Sequence, residues 1–116
     1  MSDCIFCKII AGEIPSTKVY EDEYVYAFKD INPIAPLHYL FIPKQHISGA
    51  SAVTEENADV VGKIFIAIAK VAAQEKLDSG FRVITNCGDD AGQTVPHLHF
   101  HLIAGTKMGW SAEQGV

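Results

Sequence analysis

His97-Leu98-His99-Phe100-His101-Leu102-Ile103 alternates imidazole with apolar side chains without a break. On a strand the period of two sends the three imidazoles to one face and Leu98, Phe100 and Leu102 to the other. The stretch therefore predicts a strand from His97 to Ile103 with one face for chemistry and one for packing. Three of the five histidines in the chain fall within these five positions. A solvated sheet face would be served equally well by Thr, Lys or Glu, so chance is a poor account of them.

Working outward, two runs of alternating residues, Thr17 to Tyr20 and Tyr24 to Phe28, flank the acidic turn Glu21-Asp22-Glu23 and read as a β-hairpin. Asn32-Pro33 and Ala35-Pro36 break the chain before a third strand, His38 to Ile42, which Pro43 ends. Thr54 is a good helix N-cap with Glu55 and Glu56 after it. Val60, Val61, Ile64, Phe65, Ile68, Val71 and Ala72 then recur at helical spacing, predicting one long helix to about Leu77. Phe81 to Thr85 reads as a fourth strand and Gly88 to Gly92 as a loop of turn formers. Strands in succession without interleaved helices favour an α+β fold, an antiparallel sheet of about five strands crossed by the long helix.

The chain has 116 residues, 48% of them hydrophobic and 20% charged, which fits one domain over 1–116. Nine Lys and Arg against fourteen Asp and Glu give 9 − 14 = −5, so a nucleic-acid backbone meets net repulsion and no nucleic-acid partner is expected. The most apolar stretch, Ile64 to Ala69, lies between Lys63 and Lys70 and is far shorter than the roughly 20 residues of a membrane helix. Met1-Ser2-Asp3-Cys4 lacks a signal-peptide pattern, so no membrane partner and a cytoplasmic location are expected. In a reducing compartment Cys4 and Cys7 are metal ligands or free thiols rather than a disulfide.

Two chemical readings of the triple histidine remain. Imidazoles at i and i+2 can share a metal, but His97 and His101 would stand about 13 Å apart along an ideal strand. Alternatively, a neutral imidazole attacks phosphorus while its neighbours fix its tautomer and pass a proton to the leaving group. Positive charge on one ring disfavours protonation of the next, which keeps a central nucleophile neutral, and His99 is the central ring. Gly88-Asp89-Asp90-Ala91-Gly92 offers loop amides that could cradle a phosphate nearby.

The run His97 to Ile103 resembles the His-φ-His-φ-His-φ-φ signature of the histidine-triad family, φ being apolar. The resemblance extends through Ile5-Phe6-Cys7-Lys8-Ile9-Ile10, Glu13-Ile14-Pro15, Phe28-Lys29-Asp30-Ile31, Pro36-Leu37-His38, Ile42-Pro43-Lys44-Gln45-His46-Ile47 and Gly92-Gln93-Thr94-Val95. It is strongest to the Hint branch of homodimeric purine nucleoside phosphoramidate hydrolases. That resemblance implies a fold of five antiparallel strands with one long and one short helix, and a homodimer acting on AMP or GMP conjugates. It implies His99 as the nucleophile that becomes nucleotidylated, with His101, His38 and His97 in its proton and orientation network and no metal needed for catalysis. Asn86, the Gly92 backbone and Thr94 correspond to phosphate contacts, and Asp30 to the carboxylate that accepts from the ribose. Phe6, Ile9, Ile14, Phe28 and Ile31 correspond to the apolar slot for the base. Thr94 stands where many Hint proteins have serine. The C-terminal segment keeps Trp110 but lacks the family's prolines.

Cys4 and Cys7 make half of a tetrahedral zinc shell, and His46 and His97 are available to complete it. Many bacterial proteins resembling this chain hold a structural zinc with that set, and His97 would then keep its second nitrogen for orienting its neighbours. Reduced thiols on a short helix are the alternative, and Cys87 reads as a loop thiol. Rival functions are a dinucleoside polyphosphate hydrolase of the Fhit type, a nucleotidyltransferase, and a nucleotide-binding scaffold without turnover. The transferase branch carries Gln in place of the last triad histidine, whereas this chain has His101.

Overall fold

The computed structural model describes residues 3–109, so the expectation attached to Trp110 and the tail lies outside the described residues. Five strands form one antiparallel sheet: β1 (Lys18–Glu21), β2 (Val25–Lys29), β3 (Leu37–Pro43), β4 (Arg82–Ile84) and β5 (Phe100–Ala104), in the spatial order β1-β2-β3-β5-β4. A short helix, α1 (Ile5–Ile10), precedes them, and a long one, α2 (Ala58–Gln74), falls between β3 and β4.

The alternation of strand side chains divides the interior into two layers. Val25, Ala27, Tyr39, Phe41, Phe100 and Leu102 face the buried side of α2, which contributes Val60, Ile64, Ala67, Ile68 and Val71. Tyr26, Phe28, Leu40 and Ile42 face the other way and meet Phe6 of α1. Residues 25–28 are consequently all buried, although the sequence read this run as half solvated. The second face is dry because α1 covers it, and the Tyr26 hydroxyl finds Ser16 Oγ at 2.7 Å.

α2 begins at Ala58, four residues after the expected cap. Thr54 and Asn57 are spent on a turn of their own: Asn57 Oδ1 accepts from the Thr54 amide at 2.7 Å and Thr54 Oγ1 from the Glu56 amide at 3.2 Å. Asn57 Nδ2 meanwhile donates to the Ala52 carbonyl, so the helix starts only beyond this knot. It ends at Gln74 rather than near Leu77, because Lys76 takes a left-handed conformation at φ 58° and the Leu77 amide turns back to the Ala72 carbonyl.

β5 begins at Phe100, so His97, Leu98 and His99 precede the strand instead of opening it. Their backbone has other partners. The Leu98 amide donates to the Ile47 carbonyl at 2.6 Å, and the Thr85 hydroxyl donates to the His99 carbonyl at 2.7 Å in place of a ladder bond. The two-residue alternation nevertheless survives, with Leu98 in the α2 layer. Leu98 is only 1% exposed and anchors the segment carrying His97 and His99. Leu98→Ala is expected to cost about 2–5 kcal/mol, the usual range for a buried Leu truncation. Urea unfolding checks it, and a loss within about 0.5 kcal/mol, typical of surface positions, would contradict the anchoring role.

Candidate functional site

Two clusters of donor atoms occupy the face of β3 and β5 opposite α2, and the residues of the histidine run link them. In the first, Cys4 caps α1, its sulfur accepting from the Cys7 amide at 3.3 Å. Cys4 Sγ and Cys7 Sγ lie 3.2 and 3.6 Å from His97 Nδ1, and His46 Nδ1 lies 3.4 Å from Cys7 Sγ and 3.1 Å from His97 Nδ1. All four ligand atoms are within 4.8 Å of one another. Neighbouring ligands in a tetrahedral zinc shell stand about 3.3–3.8 Å apart, given the usual Zn–N and Zn–S lengths, so these residues fit zinc.

The tautomer of His97 fits as well. Its Nε2–H donates to the Pro43 carbonyl at 2.9 Å, which leaves the Nδ1 lone pair facing the two sulfurs and His46. His97 is fully buried, and burial lowers its pKa and favours this neutral ring. The second ring nitrogen therefore does not orient the neighbouring histidines, as sequence reasoning had it. The main chain does so instead, since His99 Nδ1–H donates to the His97 carbonyl at 2.7 Å.

That bond decides the chemistry of His99. A carbonyl can only accept, so the proton is on Nδ1 and the Nε2 lone pair is free of it. The His99 ring is 7% exposed, edge-on to Phe6 with centroids 5.1 Å apart, and 5.2 Å from the His101 ring.

The second cluster is Asp30, His38 and His101. The Ile34 amide donates to His38 Nδ1 at 3.2 Å, so His38 bears its proton on Nε2 and donates to His101 Nδ1 at 2.8 Å. His101 must then carry its own proton on Nε2, and that buried atom has no partner among the described residues. A cation between His38 Nε2 and His101 Nδ1 would need the proton that the bond uses, so these tautomers make a proton relay rather than a metal cup. Burial lowers the pKa of His38, with Asp30 opposing it, so the 3.4 Å contact between His38 and Asp30 is a polar contact and not an ion pair. For His101, burial first and then the charges of His99 and His38 bring the pKa down to about 4.

The Gly88–Gly92 loop behaves differently from its sequence reading. The amides of Ala91 and Gln93 donate to Gly88 and that of Gly92 to Asp89, while Gly88's own amide is taken by Gln93 Oε1 at 2.9 Å. A 3-10 turn, Asp89–Ala91, with Gly92 at φ 80°, uses the amides of Gly88, Ala91 and Gly92 internally, which leaves those of Asp89 and Asp90 without a partner among the described residues. Gln93, to which sequence reasoning gave no role, holds the loop: its Nε2 donates to the carbonyls of Ser48 and Val95. Only a carboxamide can accept from one strand of such a loop and donate to two others, and that bivalence was the available signal. Asn86 is half-buried beside the loop and Thr94 exposed.

Of the apolar set, Phe6 and Phe28 meet edge to face at 5.6 Å and Ile9 packs against them. Ile14 is half-buried outside that cluster, and Ile31 stands 90% exposed.

Fold and site together define an α+β domain with a chain of hydrogen-bonded histidines next to a cluster of four side chains that could hold a metal. Residues 11–108 match the HIT domain model, and the chain belongs to that family. It is 47% identical over 110 residues to a 14 kDa zinc-binding protein of Brassica juncea, covering 93% of this chain and 97% of that one. It is 46% identical over 111 residues to adenylylsulfatase HINT1 of Arabidopsis thaliana, covering 94% and 76%. A solved HIT family hydrolase from Clostridium thermocellum superposes with a TM-score of 0.92 at 52% identity, covering 96% and 97%. Among the described residues no helix is long and apolar enough to cross a membrane.

The depressed His101 pKa has a consequence for stability. Above its ordinary value of 6.5 the ring is neutral in both folded and unfolded chains; as pH falls from 6.5 towards 4, the unfolded chain takes up a proton that the folded one refuses. Stability is thus present above about pH 6.5 and lost through that window. The full shift corresponds to about 2 kcal/mol by pH 5, which partial exposure reduces to about 1 kcal/mol. Urea midpoints at pH 7.5 and 5 should drop further for the wild type than for His101→Gln, and equal drops would refute the assignment.

Proposed function

We propose that this chain hydrolyses purine nucleoside phosphoramidates, AMP or GMP conjugates, through a covalent nucleotidyl intermediate on His99. The observation that carries the reading is the bond from His99 Nδ1–H to the His97 carbonyl, beside the Nε2–H of His101, which has no partner among the described residues. A lone pair for attack on phosphorus and a proton for the leaving group lie on adjacent rings.

The proton count follows from these tautomers. A bound substrate phosphate, being anionic, favours one extra proton on the His38–His101 pair. His99 Nε2 attacks phosphorus, the P–N bond breaks, and the pair passes its proton to nitrogen, so a neutral amine leaves and the pair returns to neutrality. The intermediate is an imidazolium whose Nδ1–H is held by the His97 carbonyl. Water then attacks phosphorus, gives its proton to the pair, and the P–N bond to His99 breaks. The nucleotide and the free His99 lone pair are restored.

Substrate preference is read from charge. Arg82, the one arginine, donates to the Gly109 carbonyl at 2.7 Å, and no lysine lies between Lys76 and Lys107. A polyphosphate leaving group needs cations, whereas an amine needs a proton, which the relay supplies. With the Gly88, Ala91 and Gly92 amides occupied, the Asn86 and Thr94 side chains and the amides of Asp89 and Asp90 are the neutral donors for phosphate, and Asp30 the acceptor for ribose. Phe6, Ile9 and Phe28 form the apolar ground for the base, with Ile14 and the exposed Ile31 at its margin. The relative named adenylylsulfatase makes adenylyl sulfate a second substrate to test.

Cys4, Cys7, His46 and His97 are proposed to hold a structural zinc, since a shell closed by four protein ligands leaves no position for water. A homodimer is supported by β4, a three-residue edge strand, and by Phe65, Ile66 and Phe81, which are 48%, 53% and 43% exposed. Phe65 stands over Phe100 of β5, the strand next to that edge. A reducing cytoplasmic location accords with the free thiols.

Two measurements check these assignments. Adenosine and guanosine phosphoramidates, adenylyl sulfate and diadenosine polyphosphates should be compared on one preparation, with kcat/KM highest for the phosphoramidates. His99→Ala should lose at least about 10³-fold in kcat while still binding AMP. Preference for the polyphosphate overturns the substrate assignment, and retained turnover in the variant overturns the covalent one. Native mass spectrometry should record a dimer with one zinc per chain; a metal-free monomer at micromolar concentration contradicts both proposals.

A further inference from the structure

The segment Cys4 to Cys7 does more than supply two sulfurs. Between them lies Phe6, 6% exposed, whose ring is edge-on to His99 at 5.1 Å and 87° and to His97 at 5.8 Å and 72°. α1 has only six residues, too few to persist as a helix by its own hydrogen bonds. Its position depends on what it carries: the Phe6 ring in the apolar layer and the two sulfurs beside His97 and His46. From the other side, His97 places a ring nitrogen among the sulfurs and its main-chain carbonyl on His99 Nδ1–H. His46 and His97 are also tied at the backbone, through the bond from the Leu98 amide to the Ile47 carbonyl. Two supports of the His99 ring, one apolar and one a hydrogen bond, thus come from residues of the metal-ligand cluster or from the residue held between two of them.

We propose that Cys4, Cys7 and His97 are positioning residues for the nucleophile: by converging on one zinc ion they hold Phe6 against the His99 ring and the His97 carbonyl on its Nδ1–H. The inference rests on the reading of His99 as nucleophile. It differs from a purely structural role, in which losing the metal loosens the fold but leaves the tautomer of His99 untouched. If the carbonyl is released from its place, water can bond either nitrogen, and the Nε2 lone pair that attacks phosphorus is partly covered by a proton.

The test is the tautomer itself, read by long-range proton–nitrogen NMR on the ¹⁵N-labelled full chain at pH 8. The zinc-loaded protein should show His99 in the Nδ1–H form alone. Chelation, with the Leu98 and Leu102 methyl signals confirming the fold, should lower the ratio of Nδ1–H to Nε2–H about tenfold, the worth of one ordinary hydrogen bond. An unchanged ratio in folded, metal-free protein overturns the proposal. Should chelation unfold the chain, zinc-loaded Phe6→Leu decides: a shifted or broadened His99 ring signal at unchanged zinc content supports the proposal, and wild-type ring signals overturn it. Failure of the loaded wild type to turn over any substrate sinks the hydrolase reading alone, because the tautomer measurement needs no turnover.

Discussion

His97 is bonded at three points, and the site depends on all of them. Its Nε2–H is anchored on Pro43 at the end of β3, its Nδ1 faces two sulfurs and a second imidazole, and its carbonyl receives the proton of His99. An imidazole has two nitrogens, and in a neutral ring only one can donate. Anchoring one nitrogen therefore dictates what the other can do. The same logic passes along the chain to His99, whose Nδ1 is committed to a carbonyl, and in parallel through Ile34 and His38 to His101.

The relay is built in a buried part of the sheet, where His38, His97 and His99 are 6%, 0% and 7% exposed. β3 is the central strand and β5 its neighbour, with layers of apolar side chains on both faces, Phe6 edge-on to His97 and His99 and Leu40 opposite His101. Burial disfavours the charged rings, which keeps His97, His38 and His101 neutral near neutral pH. A neutral relay can accept or give a proton according to what is bound. One already charged can only give.

The metal-ligand cluster and the relay share the same short segment but divide its atoms. Ring atoms of His97 belong to the cluster, and its carbonyl belongs to the nucleophile. This division became possible because His97 to His99 is not in the ladder. Had β5 begun at His97, the His97 carbonyl would have been a candidate for cross-strand pairing, and His99 would have lost its acceptor. The bonds from Leu98 to Ile47 and from Thr85 to His99 hold the segment in place without using that oxygen.

By itself the sequence determined the fold class, the five strands, the long helix and the face to which the imidazoles turn, because each rests on a local period of 2 or 3.6 residues. The pairing of Cys4 and Cys7 with His46 and His97 was legible from ligand chemistry and resemblance, and the four donors do converge. Tertiary structure decided what depends on hydrogen bonds between distant residues. α2 starts late because the Asn57 and Thr54 side chains accept from the Thr54 and Glu56 amides in a turn of their own, and the Gly88, Ala91 and Gly92 amides are consumed within their loop and by Gln93. Tertiary contacts also gave Phe6 its place against His99, which its apolar character alone leaves open. Above all they set the tautomers: a histidine in a sequence has two choices for its proton, and the carbonyls of Pro43 and His97 and the amide of Ile34 decided between them for His97, His99 and His38.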